Sequence, residues 1–238
     1  LLITDVILSA QKEPEFIKIA LIRVPLRLGF DVFEKGEISE QKINRIFKTI
    51  YAYKHLMEVY EVSHLRACAT SAMRDAANGP DIIKRIEEET GISIEIISGQ
   101  QEASLINENH FAEHLASDES YLYIDVGGGS TELTFFSDGR MMAKESFNIG
   151  TIRLLKDQVT ENTWDAMKDF IKKSTRGLHH ITAIGSGGNI NKIFSLSKRK
   201  EGKPLTLGML RDYYKEFSTL TLQQRMMLYK LREDRADV

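Results

Sequence analysis

The apolar positions along this chain follow two spacings, one typical of strands and one typical of helices. Period-two alternation and short apolar runs predict strands, whereas apolar residues three or four positions apart predict helices. The predicted strands are residues 1–8, 16–24, 65–69, 92–97, 121–126, 131–136, 140–147 and 181–184. The predicted helices begin at or just after Ser39, Asn78, Ser98, Thr160, Gly188, Thr206 and Thr221. Strands that alternate with helices indicate an α/β protein, with parallel strands and an antiparallel hairpin in each half.

Local signals fix several ends of these elements. Ser39 is a suitable helix N-cap, and Ser98 with Gln101 has the spacing of a capping box, which predicts a helix over residues 99–115. Asp138-Gly139 is a strong hairpin signal between the strands on either side of it. Residues 116–120 are small and polar, so we expect two domains there, 1–117 and 118–238.

The composition excludes several classes of partner. Hydrophobic residues make up 42% of the chain and charged residues 28%, as in ordinary globular proteins. No apolar run approaches the ~20 residues that a membrane helix requires. The formal net charge of −2 gives no electrostatic footprint for nucleic acid. We therefore expect no membrane and no nucleic acid as partner, and a polyanionic ligand has to meet positive charge concentrated in a cleft.

The cysteine content indicates a cellular compartment. Cys68 is the only cysteine, which excludes an internal disulfide and indicates a reducing, cytoplasmic setting. Because Cys68 lies in an apolar segment, we expect a buried, inert thiol.

The clearest chemical signal is the glycine cluster that follows the strand at residues 121–126. Gly127, Gly128 and Gly129 allow a tight turn that presents backbone N–H groups to one anion, and Ser130 and Thr131 extend the candidate phosphate-binding set. The two acids that flank the cluster, Asp125 and Glu132, are candidate magnesium ligands, directly or through water. The alternative is an ordinary hairpin turn in which Asp125 is a polar strand end.

A second glycine cluster follows the strand at residues 181–184. It consists of Gly185, Ser186, Gly187 and Gly188, and the helix after it would aim its N-terminal amides at a negative ligand. Glycines at such junctions are also often purely structural, and that alternative stays open here.

Several segments together resemble the exopolyphosphatase and guanosine pentaphosphate phosphohydrolase family. They occur in the family's order and span nearly the whole chain: Arg27-Leu28-Gly29, residues 69–76 (ATSAMRDA), 98–103 (SGQQEA), 125–132 (DVGGGSTE), Gly150 with Arg153, 185–188 (GSGG) and 235–237 (RAD).

The resemblance implies a fold and an activity. The fold is a pair of ribonuclease-H-like, actin-like ATPase domains that face each other across a cleft. The activity is release of the terminal phosphate from inorganic polyphosphate, guanosine pentaphosphate or both, with Mg²⁺, and a homodimer is expected.

The resemblance also implies roles for individual residues. The glutamate of the family's SGxxEA segment is the general base, which corresponds to Glu102, and a carboxylate at a cleft edge suits the proton of an attacking water. The alternative is a first-turn glutamate that only favours the helix dipole. Arg74 can grip phosphate oxygens, unless it merely pairs with Asp75. Arg153 is less certain, because residues 150–153 could simply begin a helix.

The sequence departs from the family at three points. Gln101 stands where a second glutamate is common, which leaves Glu102 as the acid of that segment. Family members normally begin with a strand and an Asp-Gly-Ser-Asn phosphate loop, which would precede Leu1, and they continue beyond the Arg-Ala-Asp segment. We therefore expect the sequence to be part of a longer protein. Two other functions stay open: a kinase of the same superfold, and a sensor that binds polyphosphate or an alarmone without cutting it.

Overall fold

The structure, a computed structural model, describes residues 1–9, 12–107, 119–178, 180–200 and 202–237. The chain separates into two compact units, Leu1–Ile97 and Ser98–Val238. The predicted domain boundary at residues 117 and 118 lies outside the described residues.

Within its described residues, the first unit combines two long strands, two strands of two residues each and four helices. Its elements are β1 (Leu2–Ser9), β2 (Lys12–Leu21), α1 (Gly29–Lys35), α2 (Glu40–Val59), β3 (Cys68–Ala69), α3 (Ser71–Asp75), α4 (Gly79–Thr90) and β4 (Glu95–Ile96). Strands β1 and β2 form an antiparallel hairpin, and β3 pairs with β4 in parallel. Apolar side chains of α2 and α4, such as Ile46 and Ile86, are buried in its core.

Strand β3 corrects the expectation for Cys68. The strand has only two residues, and Cys68 is exposed rather than buried. Its ladder partner is Glu95, which is exposed as well. Ladder partners share a face of the sheet, so the thiol lies on the open face of this pair.

The second unit is built around one mixed sheet. Its elements are α5 (Gly99–Asn107), β5 (Ser120–Val126), β6 (Thr131–Ser137), β7 (Arg140–Phe147), α6 (Thr151–Leu155), α7 (Glu161–Ser174), β8 (Ile181–Gly187), α8 (Gly188–Leu196), α9 (Leu207–Thr219), α10 (Leu222–Tyr229) and α11 (Glu233–Ala236). The strand order is β7-β6-β5-β8, with β8 parallel to β5 and the other neighbours antiparallel. This order confirms the α/β class and agrees with the ribonuclease-H-like, actin-like domain that the resemblance implies.

One face of the sheet carries the apolar core of the second unit. Leu122, Leu133 and Phe135 of the strands pack with Met167 of α7. The rings of Phe147 and Phe170 meet edge to face with their centroids 5.7 Å apart. Burying a side chain of this size contributes about 1.5–3 kcal/mol, so α7 holds this face of the sheet firmly.

The other face of the sheet is covered by α5. The predicted capping box is present: the Ser98 N–H donates to Gln101 Oε1 over 2.8 Å, and the Gln101 N–H donates to Ser98 Oγ over 3.2 Å. Lys144 of β7 donates to the Gln100 carbonyl oxygen over 3.2 Å and contacts the Ser104 hydroxyl. The predicted end of the helix, at residue 115, lies outside the described residues. None of the helices in the described ranges is long and apolar enough to cross a bilayer.

Candidate functional site

A row of four polar residues crosses the sheet of the second unit beside the first glycine cluster. Ser146 of β7 pairs with Glu132 of β6, Glu132 pairs with Asp125 of β5, and Asp125 pairs with Ser186 of β8. Paired residues share a face. These four residues, the polar row, therefore lie side by side, and they include three predicted site residues.

The face that carries the polar row is the one under α5. A Cβ added at Gly99 would lie 2.7 Å from Ser146 Cβ and 4.0 Å from Glu132 Oε1. Glu132 is 3% exposed, and its Oε1 accepts a hydrogen bond from the Ser146 hydroxyl over 2.9 Å. A buried carboxylate is costly unless it is hydrogen-bonded or paired, and the Ser146 hydroxyl supplies such a bond to Glu132.

Glu102 is on the same side of the sheet as the polar row. It follows Gly99 by three residues on α5, which puts both on one face of the helix, and its Oε2 atom is buried. Glu102 therefore belongs to the second unit, together with the glycine cluster, although the predicted domains place it in the first half of the chain.

Residues 127–130 form a closed turn, here called the phosphate loop, that is held from one side. The Gly127 N–H donates to the Ser130 carbonyl oxygen over 2.9 Å. The next three donors come from the start of α6 and take three successive loop carbonyls: Thr151 N–H to Gly127 O (3.0 Å), Ile152 N–H to Gly128 O (2.9 Å) and Arg153 Nε–H to Gly129 O (2.7 Å).

These bonds set the direction of the loop's amides. In a trans peptide, the C=O of one residue and the N–H of the next point in opposite directions, and the chain has no cis peptide bond among its described residues. The N–H groups of Gly128, Gly129 and Ser130 therefore point away from α6. Within the described ranges, no protein group accepts a hydrogen bond from them. Such a run of amides has the geometry that suits an anion, and Gly127 contributes its backbone conformation to this run and not its N–H.

Gly150 allows this close approach. A Cβ at this position would overlap the backbone of Gly128 and lie 2.5 Å from the carbonyl carbon of Gly129. Gly150 and the three donors after it, residues 150–153, are here called the clamp. Arg153 thus both begins a helix, as one alternative expected, and supports the loop through its side chain.

The second glycine cluster also brings chain segments close together. Strand β8 ends at Gly187, which has φ of +110° and where a Cβ would lie 2.5 Å from the Val126 carbonyl oxygen. Helix α8 begins at Gly188, and the Arg235 guanidinium lies against this glycine. The anion-binding role of residues 185–188 stays a prediction.

A pocket of about 120 Å³ opens beside the start of α8. Three of its side chains are cationic, Lys192, Arg225 and Arg235, and others are apolar, among them Phe217 and Leu231. We refer to it as the basic pocket. It adjoins the phosphate loop, because Val126 before the loop pairs with Gly187 before Gly188.

Arg74 lies in the first unit, in α3. Its Nη1 donates to the Ile97 carbonyl oxygen over 2.7 Å, and its Nε lies 3.8 Å from Asp75 Oδ1. The pairing with Asp75 that was weighed as an alternative is therefore present, and the phosphate contact of Arg74 stays a prediction.

The polar row suits a magnesium ion in one respect. Asp125 and Glu132 are directly opposite each other in the β5–β6 ladder, so two carboxylates share one face next to the loop. The described residues contain no group of three or more His, Cys, Asp or Glu side chains arranged around a metal. Magnesium is commonly held by one or two carboxylates while phosphates and water complete its shell, so these two residues fit the ion.

The sequence model of the Ppx/GppA phosphatase family matches residues 7–238. The chain belongs to this family. A curated relative, the bifunctional 3-dehydroquinate synthase/phosphatase of Fusobacterium nucleatum, is 30% identical over 194 residues, which cover 74% of this chain and 29% of that protein. Exopolyphosphatase 1 of Mycobacterium bovis is 27% identical over 140 residues, which cover 59% of this chain and 41% of that protein. The chain thus spans less than half the length of these curated relatives.

A solved Ppx/GppA-type structure agrees with the fold. The exopolyphosphatase from Cytophaga hutchinsonii superposes with a TM-score of 0.75 at 25% sequence identity, over 99% of this chain and 81% of that one. The resemblance inferred from the segments of the sequence is thereby confirmed.

Sequence reasoning missed Ser146 as a site residue. Its relation to Glu132 depends on the pairing of β6 with β7, which a motif does not encode. The available signal was the hairpin turn at Asp138-Gly139, from which a register can be counted. A regular count pairs Glu132 with Glu145, because it does not include the bulge in β7.

Proposed function

We propose that this Ppx/GppA protein releases the terminal phosphate from inorganic polyphosphate, guanosine pentaphosphate or both by magnesium-assisted attack of water. The observation that carries the proposal is the phosphate loop. Its amides at Gly128, Gly129 and Ser130 are held pointing away from the clamp, beside two carboxylates and on a sheet whose covering helix carries Glu102.

The phosphate loop would bind the oxygens of the terminal phosphate through these amides, with Thr131 and residues 185–188 supporting the rest of the chain of phosphates. Asp125 and Glu132 would hold Mg²⁺, which offsets phosphate charge when bound. Arg74 would add positive charge at the transferring group.

Glu102 would act as general base. It accepts one proton from water as the water oxygen forms a bond to the terminal phosphorus. The anhydride P–O bond breaks, and its electron pair stays on the oxygen of the shortened phosphate chain. The catalysis in this scheme comes from positioning and electrostatics, which is usual for phosphoryl transfer.

The names of the relatives support a phosphatase and an exopolyphosphatase activity. The basic pocket supports the proposal that the substrate is a long or branched polyanion, because the cationic side chains of the pocket would contact phosphates beyond the terminal one. Both substrates present the same terminal anhydride, so both belong to the proposal. The cytoplasmic setting rests on the single cysteine, and a homodimer stays a prediction.

The substitution Glu102→Gln in the full-length protein tests this function. Steady-state phosphate release from each substrate, with and without magnesium, should fall by about 100-fold or more, because a general base typically contributes that much. Glu161→Gln is the matched control, since Glu161 is an exposed first-turn glutamate of α7.

A rate within about threefold of the wild type would contradict the role of Glu102, since it lies far below the usual contribution of a base. Tight binding of polyphosphate without phosphate release by the wild type would favour the sensor instead. Phosphate transfer from ATP that requires an added hydroxyl compound would favour the kinase.

A further inference from the structure

The hydroxyl of Ser146 lies between the buried carboxylate of Glu132 and the start of α5. It donates to Glu132 Oε1 over 2.9 Å on one side. On the other side Gly99 lies so close that a Cβ there would contact the Ser146 side chain. The oxygen is thus enclosed by the residue it holds and by the helix that carries Glu102.

We propose that Ser146 is a positioning residue that holds Glu132 in the orientation needed for magnesium, and this inference rests on the proposed function. A hydrogen bond to an ionised acceptor is roughly twice as strong as one between neutral groups. With Oε1 fixed by Ser146, the carboxylate of Glu132 keeps one plane relative to Asp125, its neighbour in the polar row.

A β-bulge in the hairpin brings Ser146 to this position. The pairs next to the Asp138-Gly139 turn are regular, with Phe136 opposite Met141, but Phe135 is opposite Ala143. Met142 is therefore the extra residue of β7. Bulges near active sites commonly re-aim side chains.

If the same sequence followed the regular register counted from the turn, without a bulge, the partner of Glu132 would be Glu145 rather than Ser146. Like charges directly opposite each other destabilise an antiparallel pair, and two ionised glutamates have no proton to donate to each other. The bulge therefore replaces an acceptor by a donor at the β7 position opposite the buried carboxylate.

The close approach of α5 to Ser146 depends on Gly99. A Cβ on residue 99 would lie 2.7 Å from the Ser146 Cβ, so glycine at this position lets the helix come near the hydroxyl.

The substitution Ser146→Ala in the full-length protein tests the inference, because it removes the hydroxyl and little volume. Phosphate release from polyphosphate is measured over a magnesium chloride titration. Removal of a group that orients a metal ligand typically costs 10–100-fold in metal affinity or activity. We expect the magnesium concentration for half-maximal rate to rise by about tenfold. Ser137→Ala is the control, because Ser137 is also a buried serine of this sheet, and its hydroxyl bonds Ser120 at the other end of β6.

A second readout is independent of activity. The melting temperature of each protein is followed over the same magnesium chloride titration. Ser146→Ala should need about tenfold more magnesium than the wild type for the same rise, whereas Ser137→Ala should need the wild-type amount. A wild type that does not release phosphate from either substrate would contradict the proposed function. The melting-temperature titration would still test whether Ser146 affects magnesium binding.

Three results would overturn the inference. In one, Ser146→Ala keeps the magnesium dependence of the wild type. In another, it loses melting temperature without magnesium but responds to magnesium normally, which is the behaviour of a merely structural serine. In the last, magnesium does not raise the melting temperature of the wild type.

Discussion

Gly150 offers the most direct test of the clamp on the phosphate loop. The substitution Gly150→Ala places a methyl group in the backbone of Gly128 and Gly129, so the loop or the clamp has to move. Overpacking of this kind costs about 1–3 kcal/mol of unfolding free energy, and a misplacement of about 1 Å in a site lowers rates by roughly 10²-fold. We expect phosphate release to fall by about that factor, measured in steady state beside a denaturant melt.

Gly208→Ala is the matched control for this substitution. Gly208 lies in α9, where a new Cβ would have only Thr206 Oγ1 at 3.8 Å. Alanine in a helix interior is favoured over glycine by about 0.5–1 kcal/mol, so this variant should be slightly more stable and fully active. Full activity of Gly150→Ala would mean that residues 150–153 do not determine the geometry of the loop.

Residues of the site that are close in sequence could be predicted, and the others could not. Asp125, Glu132 and the glycines between them lie on one short turn, so their proximity follows from the covalent chain. Ser146 depends on the pairing of two strands. Ser39 shows the same limit: it is the N-cap of α2, but its hydroxyl donates to Asp31 Oδ2 over 2.5 Å instead of capping the helix.

The environment of Asp31 explains why the Ser39 hydroxyl donates to this carboxylate and does not cap α2. Burial raises the pKa of its carboxyl, but hydrogen bonds from Lys42 and Ser39 outweigh the burial and hold the pKa below its ordinary value. Lys42 Nζ lies 2.7 Å from Asp31 Oδ1. Asp31 of the preceding helix α1 thus accepts the hydrogen bond of the serine that the local sequence predicts as the cap of α2.

The bulge in β7 sets the register of the whole hairpin, and that register can be shifted. Insertion of one alanine after Met142, with a single-residue bulge kept, would move the later residues of β7 by one position and bring Glu145 opposite Glu132. We expect a loss of at least about tenfold in magnesium-dependent phosphate release, the lower end of the effect of a misoriented metal ligand. A less stable second unit should follow, since facing carboxylates repel.

Met142→Ala is the control for the insertion, because it keeps the number of residues and Met142 is exposed. Its activity and melting temperature should match the wild type. If the insertion retains both properties as well, the register of the hairpin has no bearing on the site.

Helix starts were predicted well where a short-range signal exists, and β5, β6 and β7 lie close to their predicted bounds, but the strand predicted at residues 92–97 does not. Thr160, Thr206 and Thr221 accept the expected N-cap hydrogen bonds at the starts of α7, α9 and α10. These bonds are local, so sequence suffices. The predicted strand at residues 92–97 shrinks to Glu95–Ile96, because its extent depends on β3, a partner of only two residues.

The assignment of α5 to the second unit could not be predicted from sequence, because it depends on how the helix packs. Its polar flanking segment, residues 116–120, suggested a boundary after the helix, but Gly99 and Gln100 pack on β7 and join the helix to the second unit. The fold class was within reach of the sequence because the alternation of elements and the family segments both specify it.

The net charge of the whole chain does not explain how it would bind a polyanion, so the distribution of its charges matters. A formal net charge of −2 does not attract a polyanion, yet the proposed substrates carry many negative charges. In the proposed function, attraction would come from a local patch, for which the basic pocket with Lys192 and Arg225 is the candidate.

Salt and Lys192 together test this patch. If the basic pocket attracts the substrate electrostatically, KM for both substrates rises with ionic strength, because salt screens exposed charges over about 10 Å at 0.1 M.

Lys192→Met should raise KM several-fold at low salt, and it should flatten the dependence of KM on salt. The substitution should leave kcat nearly unchanged, because Lys192 does not touch the bond that breaks, and a change in KM alone indicates lost uniform binding. Lys168→Met is the control, because Lys168 is an exposed lysine of α7 beside Asp165 and is not among the residues that line the pocket. Equal KM values and salt slopes for wild type and Lys192→Met would mean that the polyanion is held elsewhere. A fall in kcat instead would move Lys192 from substrate capture to the chemical step.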